Sequence, residues 1–262
     1  MTAIVRQVNR LRREAVTLLL PHRCGSCDAV VSSPGFCAPC FSQLQFCAQP
    51  ACPGCARPMA DVAVRGASPY CGYCLSNGAL FDFAVSAFVY NDKIAPLILK
   101  MKHGDRLDLV GAMARAMVSA WAEASAPAAQ HSKVDWVVPV PLHWRRQVER
   151  RYNQSLELAR QIAPYVEGKL RPDLLIRTRA TAQMKKMNRS QRRQNVAGAF
   201  AVPPKFQNGQ RQLLRGKHVL VIDDVFTTGA TLRAVVGTLR RAHVARVSVL
   251  VGARVVRPDH AA

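Results

Sequence analysis

Acidic residues are scarce in this chain. Asp plus Glu number 16 across 262 residues, against 37 Lys plus Arg, for a formal charge of +21. So strong an imbalance excludes a neutral or acidic surface and favours polyanionic partners, nucleic acid above all, through phosphate contacts and counterion release. Aromatic residues are also few, at 6%. That weakens a stacking platform for single-stranded bases and leaves charge-led, sequence-independent contact as the expected mode. No apolar run approaches the roughly 18 residues of a membrane span. The N-terminal stretch Ala15 to Leu20 is too short for a secretory signal. No G-x-x-x-x-G-K-[ST] occurs, which excludes the nucleoside-triphosphate P-loop. Hydrophobic residues reach 49%, so the chain is expected to fold around a sizeable core, as one or two domains, in the cytoplasm.

What the chain does have is cysteine. Nine cysteines without a secretory signal argue for metal rather than disulfides. Eight fall into four C-x-x-C pairs. Cys24 and Cys27 are followed after nine residues by Cys37 and Cys40; Cys52 and Cys55 are followed after fifteen by Cys71 and Cys74. One pair puts two thiolates on a metal, and two pairs complete a closed tetrahedral site of the structural kind, so about two Zn²⁺ are expected. Consecutive pairing is the expectation. An interleaved cross-brace, first pair with third and second with fourth, is the alternative. Gly25, Gly54 and Gly72 fall inside three knuckles, as tight turns require. Cys47 is left over and reads as a half-buried thiol. With both sites filled by thiolates the formal charge is still about +17.

The stretch with the most chemistry is Val219 to Thr231, VLVIDDVFTTGAT. Val219 to Ile222 reads as a strand covered on both faces. Asp223 and Asp224 follow at its carboxyl tip, then Thr227, Thr228, Gly229, Ala230 and Thr231 lead into a helical pattern from Leu232 to Arg241. Such a turn aims backbone N–H groups and threonine hydroxyls at a phosphate, with a helix N-terminus behind it. Two carboxylates beside that cradle suit the vicinal hydroxyls of a sugar.

The remaining elements surround this stretch. Ile4, Val8, Leu11, Ala15, Leu18 and Leu19 follow helical spacing, with Arg6, Arg10, Arg12 and Arg13 on the other face and Pro21 as the stop. Residues 1–22 are therefore expected to form an amphipathic helix. It suits packing on the next domain; a membrane-surface helix or a targeting presequence are the alternatives. Residues 23–78 form the zinc module, and 79–262 the main domain. In that domain the pattern predicts a strand over Phe81–Tyr90, a short helix over Ile94–Met101, a basic loop over Lys100–Arg106 and a long helix over Leu107–Glu123. A strand over Val134–Pro141 follows, then a helix capped by Asn153 or Ser155, and a strand over Leu170–Ile176. The basic stretch Thr178–Asn195 reads as a mobile loop able to close over a pyrophosphate or as a solvated basic helix. Strands over Ala197–Val202 and Arg246–Gly252 complete the set.

The segment Val219–Thr231 resembles the substrate motif of type I phosphoribosyltransferases. The chain as a whole is similar to the competence protein F (ComF) family. The residues that carry this second resemblance are the cysteine pairs, Val138–Pro141, Tyr152–Gln154, Gln183, Arg189, Asn195, Gly198, Ala199, Phe200 and Val219–Thr231. Arg151 departs from it, because the family has glycine there, and His103 lies in a loosely matching K-x-x-G loop. The resemblance implies an α/β fold: a mostly parallel open sheet with flanking helices, preceded by a double zinc ribbon. It implies that Asp223 and Asp224 orient the ribose of 5-phosphoribosyl-1-pyrophosphate (PRPP). It assigns Thr227 to Thr231 to the 5-phosphate, and Pro139, Val140, Pro141, Arg145 and Arg146 to the pyrophosphate. Mg²⁺ would travel with PRPP, and single-stranded DNA or DNA-uptake proteins would be the partners. No general base for an acceptor is evident. No N-terminal cysteine nucleophile or space for a glutaminase domain is present, so glutamine-dependent chemistry is not expected. Two functions are consistent with this resemblance: a phosphoribosyltransferase acting in DNA uptake, and a non-catalytic DNA-binding module that keeps the PRPP site as a sensor.

Overall fold

The computed structural model describes residues 21–59, 68–102, 106–126, 133–144, 148, 152–181, 187–206 and 214–256. The expected N-terminal helix lies outside the described residues, as do His103, Arg145, Arg146, Arg151 and Gln183. In chain order the helices and strands are α1 (Ala38–Phe41), α2 (Gly72–Asn77), β1 (Phe83–Val89), α3 (Ile94–Lys102), α4 (Asp108–Ser125), β2 (Trp136–Pro139), α5 (Gln154–Ile162), β3 (Lys169–Leu170), β4 (Ile176–Arg177), α6 (Arg189–Val196), β5 (Phe200–Ala201), β6 (His218–Phe226), α7 (Ala230–Arg241) and β7 (Arg246–Arg254).

Five strands form one parallel sheet in the order β1-β7-β6-β2-β3. The alternation along β6 shows why both faces are covered. Val219 and Val221 point to one side, where they pack with α7 through Leu232, Val235 and Leu239. Leu220 and Ile222 point to the other, where they meet α3, α4 and α5 through Met101, Met113 and Leu158. Burial on both sides explains the unbroken apolar run. From β2 the chain passes through α5 to β3, outward on one side. From β6 it passes through α7 to β7, outward on the other. The strand order therefore reverses between β2 and β6, and ligand sites in open parallel sheets lie outside the carboxyl ends of the strands at such a point.

The cysteine pairs are built into this body. Cys52, Cys55, Cys71 and Cys74 belong to the same buried cluster as Val219 and Val249. The first set sits on the opposite face: Lys100 donates to the Gly25 carbonyl at 3.1 Å, and Arg106 reaches Asp28 at 2.7 Å. Gly25 allows close packing, since a Cβ there would lie 2.3 Å from Leu109 Cδ2 and would displace that side chain. Between the sets, residues 45–47 run antiparallel along the outer edge of β1. Val89 N–H donates to Gln45 O and Cys47 N–H to Ala87 O, both at 2.9 Å. Further along that edge Ala84 N–H donates to Pro53 O at 2.8 Å. The zinc module thus covers the edge strand that would otherwise pair with another chain.

Two expectations are corrected here, and one pair of alternatives is narrowed. The strand expected over Leu170–Ile176 is two short strands in different sheets: β3 pairs with β2, and β4 pairs antiparallel with β5. Pro172 and Asp173 make the turn between them, where Arg171 and Asp173 pair at 3.2 Å. Part of the basic stretch is helical, as the second of its two readings has it, because Asn188 and Gln191 form a reciprocal capping box at the start of α6. Cys47 is buried rather than half-buried, with its thiol donating to the Ala56 carbonyl at 3.4 Å.

Candidate functional site

The carboxyl ends of β2 and β6 meet at the reversal point. Pro139 pairs in register with Ile222, and Val140 N–H donates to the Ile222 carbonyl at 3.0 Å. Asp223 is the next residue along β6. The strand does not stop at Ile222 as its apolar pattern suggests. It continues through both acids to Phe226, with Asp223 paired to Val251 of β7. The acids are therefore held by sheet hydrogen bonds rather than by a loop.

Four consecutive residues at the start of α5 brace this crevice. Asn153 caps the helix by accepting from Ser155 N–H, and its Nδ2 donates to Val140 O, both at 3.1 Å. The Tyr152 hydroxyl donates to the Met101 carbonyl, and Gln154 Nε2 donates to the Lys102 carbonyl at 3.0 Å. These two bonds satisfy orphan carbonyls at the C-terminus of α3. The Ser155 hydroxyl donates to Asp223 Oδ1 at 3.0 Å, as does Asp224 N–H. With α3 fixed in this way, Lys102 at its end pairs with Asp224 Oδ2 at 3.1 Å.

The electrostatics follow from this packing. Burial, with Asp224 alongside, pushes the Asp223 carboxyl up to about 7, while Lys102 and the hydrogen bonds from Asp224 N–H and Ser155 pull it down. The sequence reading had Ser155 only as a possible helix cap and Lys102 only as part of a basic loop, and gave neither a place in the site. A run of four polar residues at one helix start was the available signal for Ser155. Lys102 is one cation among many and carried no signal.

Beyond Phe226 the loop Thr227–Gly229 turns into α7. Gly229 is left-handed at φ 75°, and a Cβ there would meet the Phe226 ring at 2.6 Å, so glycine is required twice over. Ala230 and Thr231 form the first turn of α7. A cleft of about 230 Å³ lies here, lined by Asp223, Thr227, Thr228, Gly229 and Thr231 among others. The Thr228 hydroxyl is buried with no hydrogen-bond partner, although a buried hydroxyl without one is costly. An anion seated in the loop would satisfy it.

The eight paired cysteines gather as two sets, Cys24/Cys27/Cys37/Cys40 and Cys52/Cys55/Cys71/Cys74, with the sulfurs of each set within 4.8 Å of one another. The pairing is consecutive, not cross-braced. Cys27 and Cys37 sulfurs lie 3.6 Å apart, as do those of Cys55 and Cys71. A tetrahedron of sulfurs about 2.3 Å from zinc has edges of about 3.8 Å. Backbone N–H groups of Cys37 and Cys71 donate to the Cys24 and Cys52 sulfurs at 3.3 Å, as thiolate ligands require. Both sets fit structural zinc.

The family description Double zinc ribbon domain matches residues 15–75, and Phosphoribosyl transferase domain matches residues 153–257. Fold and sites together define a phosphoribosyltransferase-type sheet carrying two zinc ribbons. Over 234 residues the chain is 28% identical to DNA utilization protein YhgH of Escherichia coli (strain K12), covering 88% of this chain and 96% of the relative. Over 226 residues it is 26% identical to Competence protein F of Haemophilus influenzae, covering 86% and 87%. Along nearly its whole length the chain is thus similar to proteins named DNA utilization protein and Competence protein F. Among solved structures, glutamine phosphoribosylpyrophosphate amidotransferase from B. subtilis aligns at 21% identity with a TM-score of 0.33, over 57% of this chain and 26% of that one. No helix among the described residues is long and apolar enough to cross a membrane.

Proposed function

We propose that the crevice between β2 and β6 binds PRPP with Mg²⁺, and that the protein uses this site in the handling of incoming DNA. The observation that carries the reading is the acid pair held on β6 beside a left-handed glycine loop whose buried Thr228 hydroxyl lacks a partner. In this reading Asp223 and Asp224 take the ribose hydroxyls. Ser155 holds Asp223 in the orientation to do so. Thr227, Thr228, Gly229, Ala230 and Thr231 surround the 5-phosphate. Pro139, Val140 and Pro141 form the pyrophosphate side, a role proposed for Arg145 and Arg146 as well. Mg²⁺ would neutralise pyrophosphate and ribose oxygens and is held mainly by the substrate. Lys102 would exchange its partner Asp224 for the pyrophosphate when the acids engage the sugar. If transfer occurs, these cations would stabilise the leaving pyrophosphate as the ribose carbon becomes cation-like.

Isothermal calorimetry with PRPP and Mg²⁺ tests the site. Wild type should bind, and Asp223→Ala/Asp224→Ala should not; equal binding by the double variant would overturn the assignment.

The names of the relatives, DNA utilization protein and Competence protein F, together with the +21 charge, support single-stranded DNA as a partner. Binding led by phosphate contacts should weaken steeply between ~50 and ~300 mM salt. A salt-independent affinity would remove nucleic acid from the proposal.

A further inference from the structure

One side chain, that of Arg254, bonds both to the second zinc ribbon and to the loop after β6. Arg254, at the end of β7, is 9% exposed. Its Nε donates to the Cys55 carbonyl at 3.0 Å, inside the second cysteine set. Its Nη1 donates to the carbonyls of Phe226 at 3.1 Å and Thr227 at 2.7 Å, and to Val255 O at 2.6 Å. The guanidinium also lies 4.0 Å from the Phe226 ring centroid. That ring in turn occupies the space left free at Gly229.

A cleft of about 540 Å³ opens between ribbon and loop, bordered by Arg57, Tyr73, Leu80 and Thr228 among others. Hydrogen bonds to a charged donor are the strong kind, and Arg presents several donors in a rigid fork.

The bonds also set where the loop amides point. Among the described residues the only cis peptide is Gln49–Pro50, so the bonds after Phe226 and Thr227 are trans. In a trans peptide, C=O and N–H point in opposite directions. Gripping the carbonyls of Phe226 and Thr227 from one side therefore turns the N–H groups of Thr227 and Thr228 to the other side.

We infer that Arg254 is a positioning residue for the Thr227–Gly229 loop, and that the second zinc ribbon is the fixed point against which it holds that loop. The first ribbon lies on the opposite face of the sheet, away from Arg254 and the loop. Zinc in the second set is thereby coupled to the order of the loop, and zinc in the first set is not. Four thiolates on one divalent cation leave a net charge of about 2−, and the Arg254 guanidinium is a cation placed beside Cys55 to offset it.

Hydrogen–deuterium exchange of the full-length zinc-loaded protein, read at the amides of residues 226–230, tests this inference without a ligand. Cys71→Ser should raise exchange there at least tenfold, while Cys37→Ser leaves it at the wild-type rate. Arg254→Met should raise it by a similar factor with both zinc equivalents still bound, and Arg254→Lys by less. Unchanged exchange in Arg254→Met overturns the inference. So does equal loosening in the two cysteine variants, which would mark general destabilisation. Should Cys71→Ser not fold, Arg254→Met against Arg254→Lys decides. Because the readout is ligand-free, failure of wild type to bind PRPP would refute the proposed function and leave this result standing.

Discussion

Replacing Asp223 with asparagine should stabilise the protein at alkaline pH and do so much less in mild acid. The carboxamide oxygen of the new side chain would still accept from Ser155 and from Asp224 N–H, so the local bonds survive. What is lost is a buried charge beside Asp224. The Asp223 carboxyl sits at about 7 in the folded chain, against 3.8 for an ordinary aspartate. A raised carboxyl means that the folded state binds more protons than the unfolded state between these values, so wild-type stability falls as pH rises through about 7. For one site with these values the loss between pH 5 and pH 8 is about 2–3 kcal/mol, since each unit is worth about 1.4 kcal/mol. The side chain is part-exposed to the crevice, and solvent screening trims this to about 1–2 kcal/mol. Any pH-independent cost of the new amide cancels when the variant is compared with wild type at both pH values. In thermal melts, the melting temperature of the variant relative to wild type should rise by roughly 3–8 °C more at pH 8 than at pH 5. An equal offset at both pH values would refute the burial argument. A larger offset at pH 5 would invert it.

The other expectations follow from the same geometry. Gly229→Ala should cost about 2–4 kcal/mol in urea unfolding, from the left-handed backbone and the collision with Phe226; a loss below about 1 kcal/mol would mean that the loop relaxes freely. Lys102→Met should move the Asp223 titration, followed by carboxyl-carbon NMR, upward from about 7, because Lys102 pulls it down; a downward move would contradict the placement of that cation. Metal analysis should find two Zn²⁺ per chain. Cys37→Ser and Cys71→Ser should each lose one, and loss of both from either variant would mean that the sites fold as one unit.

How much was legible in the sequence depends on how far apart the partners lie. Val219–Thr231 was readable because a strand, an acid pair, a loop and a helix start follow one another without a gap, so local rules suffice. The cysteine sets were readable because ligand spacing is itself local. Strand β6 was read too short, because pattern rules treat charged residues as strand breakers. Pairing of Asp223 with Val251 and of Phe226 with Arg254 carries the sheet past them. Ser155 and Asp223 are 68 residues apart, and Arg254 and Cys55 are 199 apart. The polar run at the start of α5 marks Ser155 but not its partner, and nothing near Arg254 points to Cys55. An arginine at the end of a strand reads as a solvated charge until the topology places carbonyls around it. The Leu170–Ile176 stretch failed for a different reason: Pro172 and Asp173 are turn residues, and their weight against the apolar pattern was too low.

The placement of the ribbons bears on why zinc and this sheet share one chain. β1 is an edge strand, and its outward N–H and C=O groups are met by Gln45, Cys47 and Pro53. Phe46 stacks against Phe88 at 4.9 Å across the same edge. Phe81 and Phe226 lie 5.6 Å apart beneath the second ribbon. Removing residues 1–78 would uncover a seven-residue parallel-sheet edge and the aromatic side chains beside it. It would also remove the carbonyl that anchors Arg254. Exposed edges of this kind template pairing with other chains. The truncated chain should therefore form aggregates by light scattering, where the full-length protein with zinc does not, and chelation of zinc should drive the intact chain the same way more slowly. A monomeric truncation with a cooperative melt would show that the sheet is self-sufficient. The zinc ribbons would then be an attachment, rather than the cover on the edge and the support behind the loop that their hydrogen bonds describe.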